Sequence, residues 1–417
     1  MRVLHLIAGN LGEGAALGAY GLHRGLLELG VDSKVVNNGQ NILADPTVTP
    51  LATNPAKRFF YRALPHAGKL KTLPYQSRPE PFHTGEEGLD VTKLPGFAEA
   101  DILHLHWING LVRLSSLAKV DKPVVWTLRD MWPFTGGCHY SLGCEGYKWG
   151  CGACPQLGST NAKDLSAAII EKKARALPKR LNLVGISDWI SNAARQSMLF
   201  QGYPVSTIPN GVDLAPFEAV DRQAARQALG LAPEARVLLV GALRLTDPVK
   251  GFDLFEAALG QLLKEEPAPI TVLTFGHAAP KLPAHQKLVH RHLGFLRGKA
   301  LAEAYGAANG FVAPARQEAF GKTVVEALAT GTPVAAFEGT GPATIIEHQK
   351  CGYLAQAFDG ADLAQGLKWL LEAGDKAPST EAVKVRAQGF ALGRAARSYR
   401  ALYEAIASEA TASQNGH

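Results

Sequence analysis

Short apolar runs alternate with segments of helical period along most of this 417-residue chain. The first run is 3–7 (VLHLI). A glycine-rich loop follows at 9–14, then apolar positions at helical spacing over 15–29, stopped by Gly30. Further apolar runs lie at 102–105, 124–128 and 183–186. Runs this short, bounded by turn residues and helices, predict buried parallel strands. Alternating strand and helix predicts a doubly wound α/β domain. The stretch 38–95 breaks the rhythm with Pro, Gly and polar residues, and carries the patch Lys57-Arg58-Phe59-Phe60-Tyr61-Arg62. It predicts a surface excursion: either an ordered insertion without function, or an acceptor-side or membrane-facing lip.

The texture changes at 203–216, where the turn Pro209-Asn210-Gly211 stands, and a second α/β series begins. Its expected strands are 236–240, 270–275, 310–312 and 333–337. Its expected helices are 251–264, 299–308, 322–329 and 345–348. A hinge is expected at 203–209, with an amphipathic helix at 392–406 following the second series. The resulting expectation is two doubly wound, Rossmann-like domains facing a cleft: 1–205, completed by 392–417, and 206–391. In open α/β sheets, ligands bind beyond the carboxyl ends of the strands.

Composition narrows the function. Apolar residues at 47% and charged residues at 19% support packed cores. A net charge of +6 suits anionic substrates or an anionic membrane face. No Lys/Arg stripe with interleaved aromatics points to nucleic acid. No apolar run reaches the ~18 residues that span a bilayer. The N-terminal run, leading straight into a glycine loop, reads as a first strand rather than a signal peptide. The expected location is cytoplasmic, with peripheral contact at the inner membrane face.

Candidate chemistry clusters after the strands. The first loop carries Gly12 and Gly14 in a G-x-x-G-x-G spacing, which lets backbone approach an anion at a helix start; a tight turn without ligand explains it nearly as well. Arg244 and Lys250 follow a second-series strand and could neutralise a diphosphate; the alternative is two solvated loop charges. Glu318 and Glu326 stand either side of Phe320-Gly321-Lys322-Thr323, where a helix N-terminus could meet phosphate oxygens. Four cysteines, Cys138, Cys144, Cys151 and Cys154, have a closing C-x2-C and suit a structural zinc; disulfides, free thiols or an iron–sulfur cluster are the alternatives. Such a site would brace a loop and leave no open position for chemistry.

The run from Pro314-Ala315-Arg316-Gln317-Glu318 through Gly331-Thr332-Pro333-Val334 resembles the donor-site block of the family-4 retaining glycosyltransferases. Pro209-Asn210-Gly211-Val212-Asp213 resembles their interdomain segment, and Gly241-Ala242-Leu243-Arg244 with Lys250-Gly251 their diphosphate block. The resemblance implies a GT-B fold whose last helix crosses back to the first domain. It implies a UDP- or GDP-sugar donor (ADP less so), retention of configuration and no cofactor for catalysis. It assigns Arg244 and Lys250 to the diphosphate, Glu318 to the sugar and Glu326 to the ribose. The stretches His104-Leu105-His106-Trp107 and 126–139 resemble the branch that builds exopolysaccharide and colanic-acid-type glycans, implying a glycan or lipid-linked acceptor. One position departs: Arg129 stands where many relatives carry a His that contacts the donor sugar. Asp130, His106 or His139 are the expected substitutes, and Arg129 is a candidate for an anionic sugar or acceptor group. Competing readings are a nucleotide-sugar-binding protein without turnover, a GT-B-like epimerase or phosphorylase, and a membrane-associated scaffold.

Overall fold

The apolar runs become the central strands of two parallel sheets in the computed structural model, which describes residues 1–39, 44–77, 81–372 and 379–415. The chain divides into Met1–Gly211 with Leu392–His417, and Val212–Ala391.

The first unit contains β1 (Arg2–Ile7), α1 (Gly14–Glu28), β2 (Asp32–Asn37), β3 (Val48–Pro50), α2 (Pro55–Lys69), β4 (Ile102–Leu105), β5 (Val124–Leu128), α3 (Leu165–Ala176), β6 (Leu181–Gly185), α4 (Asp188–Gln196) and β7 (Val205–Thr207). Its sheet runs β3-β2-β1-β4-β5-β6-β7, with every pairing parallel. The second unit contains α5 (Ala215–Glu218), α6 (Arg222–Ala228), β8 (Val237–Gly241), α7 (Phe252–Glu265), β9 (Ile270–Phe275), β10 (Leu288–His292), α8 (Gly298–Ala307), β11 (Gly310–Ala313), α9 (Lys322–Ala329), β12 (Val334–Phe337), β13 (Gly352–Ala355), α10 (Gly360–Leu371) and α11 (Thr380–Gln388). Its sheet runs β10-β9-β8-β11-β12-β13, also parallel throughout. The last helix, α12 (Leu392–Asn415), returns to the first unit.

Two expectations are corrected. The hinge expected at 203–209 contains β7, which pairs with β6 in the first sheet; Val205 and Thr207 are β-branched and suit an edge strand. The helix expected at 345–348 does not form. A single 3-10 turn over Gly341–Thr344, with Pro342 in its first positions, precedes it, and β13 follows too soon for another turn. The excursion at 38–95 has regular elements of its own. It contains β3 and α2, the latter capped by the Asn54 side chain accepting from the Lys57 backbone N–H, with Pro55 in its first turn; its residues 40–43 and 78–80 lie outside the described residues.

Helix α12 is integral to the first core. Ala396, Tyr399, Tyr403 and Ile406 pack with Val3, Leu22, Leu26, Ile102, Val125 and Val184. A Cβ on Gly25 would meet the Ala396 Cβ at 3.0 Å, so glycine there lets α12 lie close to α1. Two hydroxyls on α12 satisfy buried polar groups: Tyr403 Oη lies 2.6 Å from His104 Nδ1, and Tyr399 Oη 2.8 Å from Thr127 Oγ1. Tyr403→Phe keeps the ring but strands the His104 nitrogen. A loss of about 1–3 kcal/mol is expected, read as a lower urea midpoint at unchanged m-value. An unchanged midpoint would show that the hydroxyl contributes nothing.

Candidate donor and acceptor sites

In the second unit, β8 ends at Gly241 and the chain passes exposed Arg244 to Lys250 and Gly251 at the start of α7. β11 ends at Ala313 and its loop carries Glu318 to Gly321, the N-cap of α9. These two loops lie against each other. The Arg316 backbone N–H donates to the Val249 carbonyl at 2.9 Å, and the Arg316 guanidinium pairs with Asp253. Lys250 Nζ consequently reaches Glu318 Oε2 at 2.9 Å. Burial pushes the half-buried Glu318 carboxyl up, but Lys250 and the backbone N–H groups of Phe320 and Gly321 outweigh it, so Glu318 titrates below the usual carboxylate range.

Gly251 is required by this geometry. Its φ is +63°, and a Cβ there would lie 2.0 Å from the Pro314 carbonyl oxygen. Gly251→Ala is expected to push the two loops apart, cost more than about 1 kcal/mol and weaken nucleotide binding. Thermal unfolding with and without nucleotide checks it; wild-type behaviour in both would refute the close-packing account.

Gly321, at φ +99°, turns the chain into α9, which places Lys322 and Thr323 in its first turn. Glu326 lies one turn further on, 3% exposed. It pairs with Lys322 four residues earlier and accepts from the Tyr305 hydroxyl at 3.3 Å. Phe320 is buried, with its ring 6.0 Å from that of Phe390. Lys250, Glu318 and the α9 N-terminus are thus brought together at strand carboxyl ends, while Arg244 stands exposed on the loop leading to Lys250.

In the first unit, Gly12 lies on the exposed β1–α1 loop, where its backbone N–H donates to Asn10 Oδ1, and Gly14 opens α1. The loop after β5 carries the other candidates. Asp130 Oδ2 lies 2.7 Å from His139 Nδ1 and accepts from Trp107 Nε1 at 2.8 Å, while Asp130 Oδ1 accepts from the Trp132 backbone N–H at 2.9 Å. Burial opposes the Asp130 charge, but His139 and these donors outweigh it and hold the carboxyl below its usual range. His83 Nδ1 lies 2.8 Å from His139 Nε2, and burial pushes His83 down to about 4. His83 and Trp107 were not singled out as site residues by sequence; His83 lies within the excursion at 38–95, far from Asp130 in the chain.

His106 is corrected as a catalytic candidate. It is 2% exposed. Its Nε2 meets His5 Nδ1 at 2.9 Å, and its Nδ1 faces the Arg129 guanidinium at 3.3–3.4 Å. Both ring nitrogens are engaged, so His106 positions Arg129. Arg129 is buried, donates to Asn210 Oδ1 at 2.9 Å and is lowered by burial to about 10, which leaves it charged at neutral pH.

Cys138, Cys144, Cys151 and Cys154 follow on the same loop and line one cavity. Beneath it, the Lys173 ammonium is fully buried, donates to the Trp132 and Thr135 carbonyls and sits 3.9 Å from the Trp132 ring centre; burial lowers it to about 7.

Residues 234–373 match the family described as glycosyl transferases group 1. A D-inositol 3-phosphate glycosyltransferase of Catenulispora acidiphila is 35% identical over 40% of this chain and 43% of its own length. The putative colanic acid biosynthesis glycosyl transferase WcaC of Escherichia coli is 32% identical over 36% of this chain and 38% of its own. The chain therefore aligns with less than half the length of either relative. Two solved structures share the fold over nearly the whole chain. Sucrose-phosphate synthase from Thermosynechococcus elongatus has a TM-score of 0.67 at 18% identity, covering 98% of this chain and 100% of that one. Anabaena HepE in complex with UDP-glucose has a TM-score of 0.60 at 16% identity, covering 97% and 100%. Both units are parallel-sheet α/β units, the GT-B fold these structures share, and the match to the glycosyl transferases group 1 family lies within the second unit.

Proposed function

We propose that the chain transfers a sugar from a nucleotide-diphosphate sugar to a glycan or lipid-linked glycan acceptor in surface polysaccharide assembly, with retention of anomeric configuration. The observation that carries the reading is the contact of Lys250 with Glu318 beside the N-terminus of α9. Breaking the bond between anomeric carbon and phosphate oxygen leaves negative charge on the diphosphate. Lys250, Arg244 and the free backbone N–H groups of the α9 first turn supply preorganised positive charge for it. Glu318, held ionised by Lys250, accepts from the sugar hydroxyls. Glu326 accepts from the ribose once the exposed Lys322 side chain moves off it. The UDP-glucose bound to HepE favours a uridine donor, with guanosine next.

The acceptor reading rests on the relative named for colanic acid biosynthesis and on α2. Phe59 is 74% and Phe60 46% exposed there, beside Lys57 and Arg58, a combination that suits an anionic membrane face. Among the described residues no helix is long and apolar enough to cross a membrane; the proposed location is cytoplasmic, peripheral at the inner face. The relative named for inositol phosphate favours a second acceptor, a phosphorylated polyol, with the buried Arg129 guanidinium as its anion-binding group.

A thermal-shift screen against UDP, GDP, ADP and their sugar conjugates, with and without magnesium, tests the donor reading. One nucleotide series is expected to stabilise the protein in both conditions, by about 3 kcal/mol at a hundredfold excess over Kd. Glu326→Ala is expected to abolish that shift. A folded protein stabilised by none of them would sink the assignment.

A further inference from the structure

We propose that Cys138, Cys144, Cys151 and Cys154 form a tetrathiolate site for one structural zinc ion, which fixes the loop carrying Asp130 and His139. The four sulfurs come from one stretch between β5 and α3 that contains no strand and no α-helix, only single 3-10 turns at Trp132–Phe134, Gly146–Lys148 and Pro155–Leu157. A segment this long without regular structure needs some other source of order. The cysteines meet at one cavity, walled also by Phe82 and Tyr147, and none is in a disulfide.

Burial pushes the thiols of Cys138, Cys151 and Cys154 up, so a cation is what would draw their protons off, and backbone donors face three of the sulfurs. The Gly146 backbone N–H donates to Cys144 Sγ at 3.4 Å. Backbone N–H groups of Gln156 and Leu157 face the Cys154 sulfur, and that of Gly136 faces Cys151. Donors two and three residues beyond a cysteine stabilise negative sulfur and serve a neutral thiol poorly. Burial lowers Lys173, and negative charge on Cys138, Cys151 and Asp130 favours its charged form, so thiolates there would hold it as an ammonium. Binding releases one proton from each of four thiols to solvent. The divalent ion with four thiolates is then a dianion, half offset by Lys173. Four thiolates fill a tetrahedral shell, so the ion takes no part in transfer.

The other cluster of ligand atoms, His5, His104 and His106, is drawn within 4.8 Å, but it is unsuited to a cation. Both His104 nitrogens are held by Tyr403 and Thr127, and the Arg129 guanidinium lies against His106. No three cysteine sulfurs are that close among the described residues, so binding turns the thiols inward about χ1.

The test is elemental analysis of the full chain, expressed with zinc supplementation and purified without chelator. About one zinc per chain is expected, released on titration of the thiols with an organomercurial. Cobalt exchanged into the site should give the visible ligand-field bands of a tetrahedral thiolate complex. Cys144→Ser and Cys154→Ser are expected to lower the zinc content and the melting temperature, while Cys351→Ser, outside the cluster, keeps the zinc. Wild-type protein that is folded, zinc-free and has all its thiols freely reactive would overturn the proposal. So would stoichiometric iron in place of zinc, or zinc retained in full by the Cys144→Ser/Cys154→Ser double variant. The wild-type measurement stands even if the variants fail to fold.

Discussion

Glu318→Gln is expected to lower kcat for sugar transfer by about 10²–10³ while changing nucleotide affinity little. Glutamine matches the shape of the carboxylate and can still accept from the Phe320 backbone N–H, which approaches Glu318 Oε1 at 3.5 Å. What it removes is the charge. The structure shows where that charge acts: Lys250 Nζ is 2.9 Å away, and the pair is only partly exposed. Without it, Lys250 loses the partner that aims it, and the sugar loses a charged acceptor for its hydroxyls. Lys250→Met attacks the other half of the contact. It removes the proposed diphosphate contact, which would form in the ground state and strengthen as charge develops on the leaving group, so both KM and kcat should worsen. Single-turnover transfer with the nucleotide sugar giving the largest thermal shift separates the cases. An unchanged kcat in Glu318→Gln would remove this carboxylate from the mechanism, and a loss confined to KM would reduce it to a binding group.

That pair was legible in the sequence because each member follows a recognisable central strand. β1, β4, β5, β6, β8, β9, β11 and β12 are buried on both faces and therefore read as continuous apolar runs. The strands that escaped notice lie mostly at the sheet margins. β3 and β7 are three residues long, β10 alternates half-buried Leu288, His290 and His292 with exposed Val289 and Arg291, and β2 carries exposed Asp32 and Lys34. An edge strand needs only one covered face, so its apolar signal is halved and a short polar-rich stretch looks like loop.

The first-unit site was less legible for a different reason. Asp130 and His139 share one loop and could be proposed together, but His83 arrives from the excursion at 38–95, and nothing local announces it. The stack of His5, His104 and His106 depends on strand register: His5 pairs with His104 across β1 and β4, and His106 follows two residues on, so alternation returns it to the same face. Each histidine alone looks like a candidate ligand. Only the register shows that they form a buried support under Arg129.

That buried histidine group makes acid the expected weakness of the first unit: lowering the pH from 7.5 to 5 should cost several kcal/mol of stability. His23 is fully buried, with Nδ1 2.7 Å from Ser33 Oγ and Nε2 2.8 Å from Thr47 Oγ1, and burial lowers it to about 4. Burial, joined by the neighbouring histidines and Arg129, lowers His5 and His106 well below 6.5, as it does His104. In the unfolded chain all four titrate near 6.5. The sign follows from proton counting. Between pH 6.5 and 4 the unfolded state binds protons that the folded state refuses, so stability is fully present above about 6.5 and declines as pH falls toward the folded values. His23 alone accounts for about 2 kcal/mol by pH 5. The Asp45 carboxylate does not share this window: its burial is outweighed by hydrogen bonds from Thr47 and Tyr20, which hold it at about 2, so it yields only in stronger acid. Urea denaturation at pH 7.5 and 5 measures the difference, and His23→Asn, which carries no titrating ring, should flatten the pH slope by about one proton. Equal stability at the two pH values would mean that these histidines are protonated in the folded protein, and the buried neutral stack would have to be abandoned.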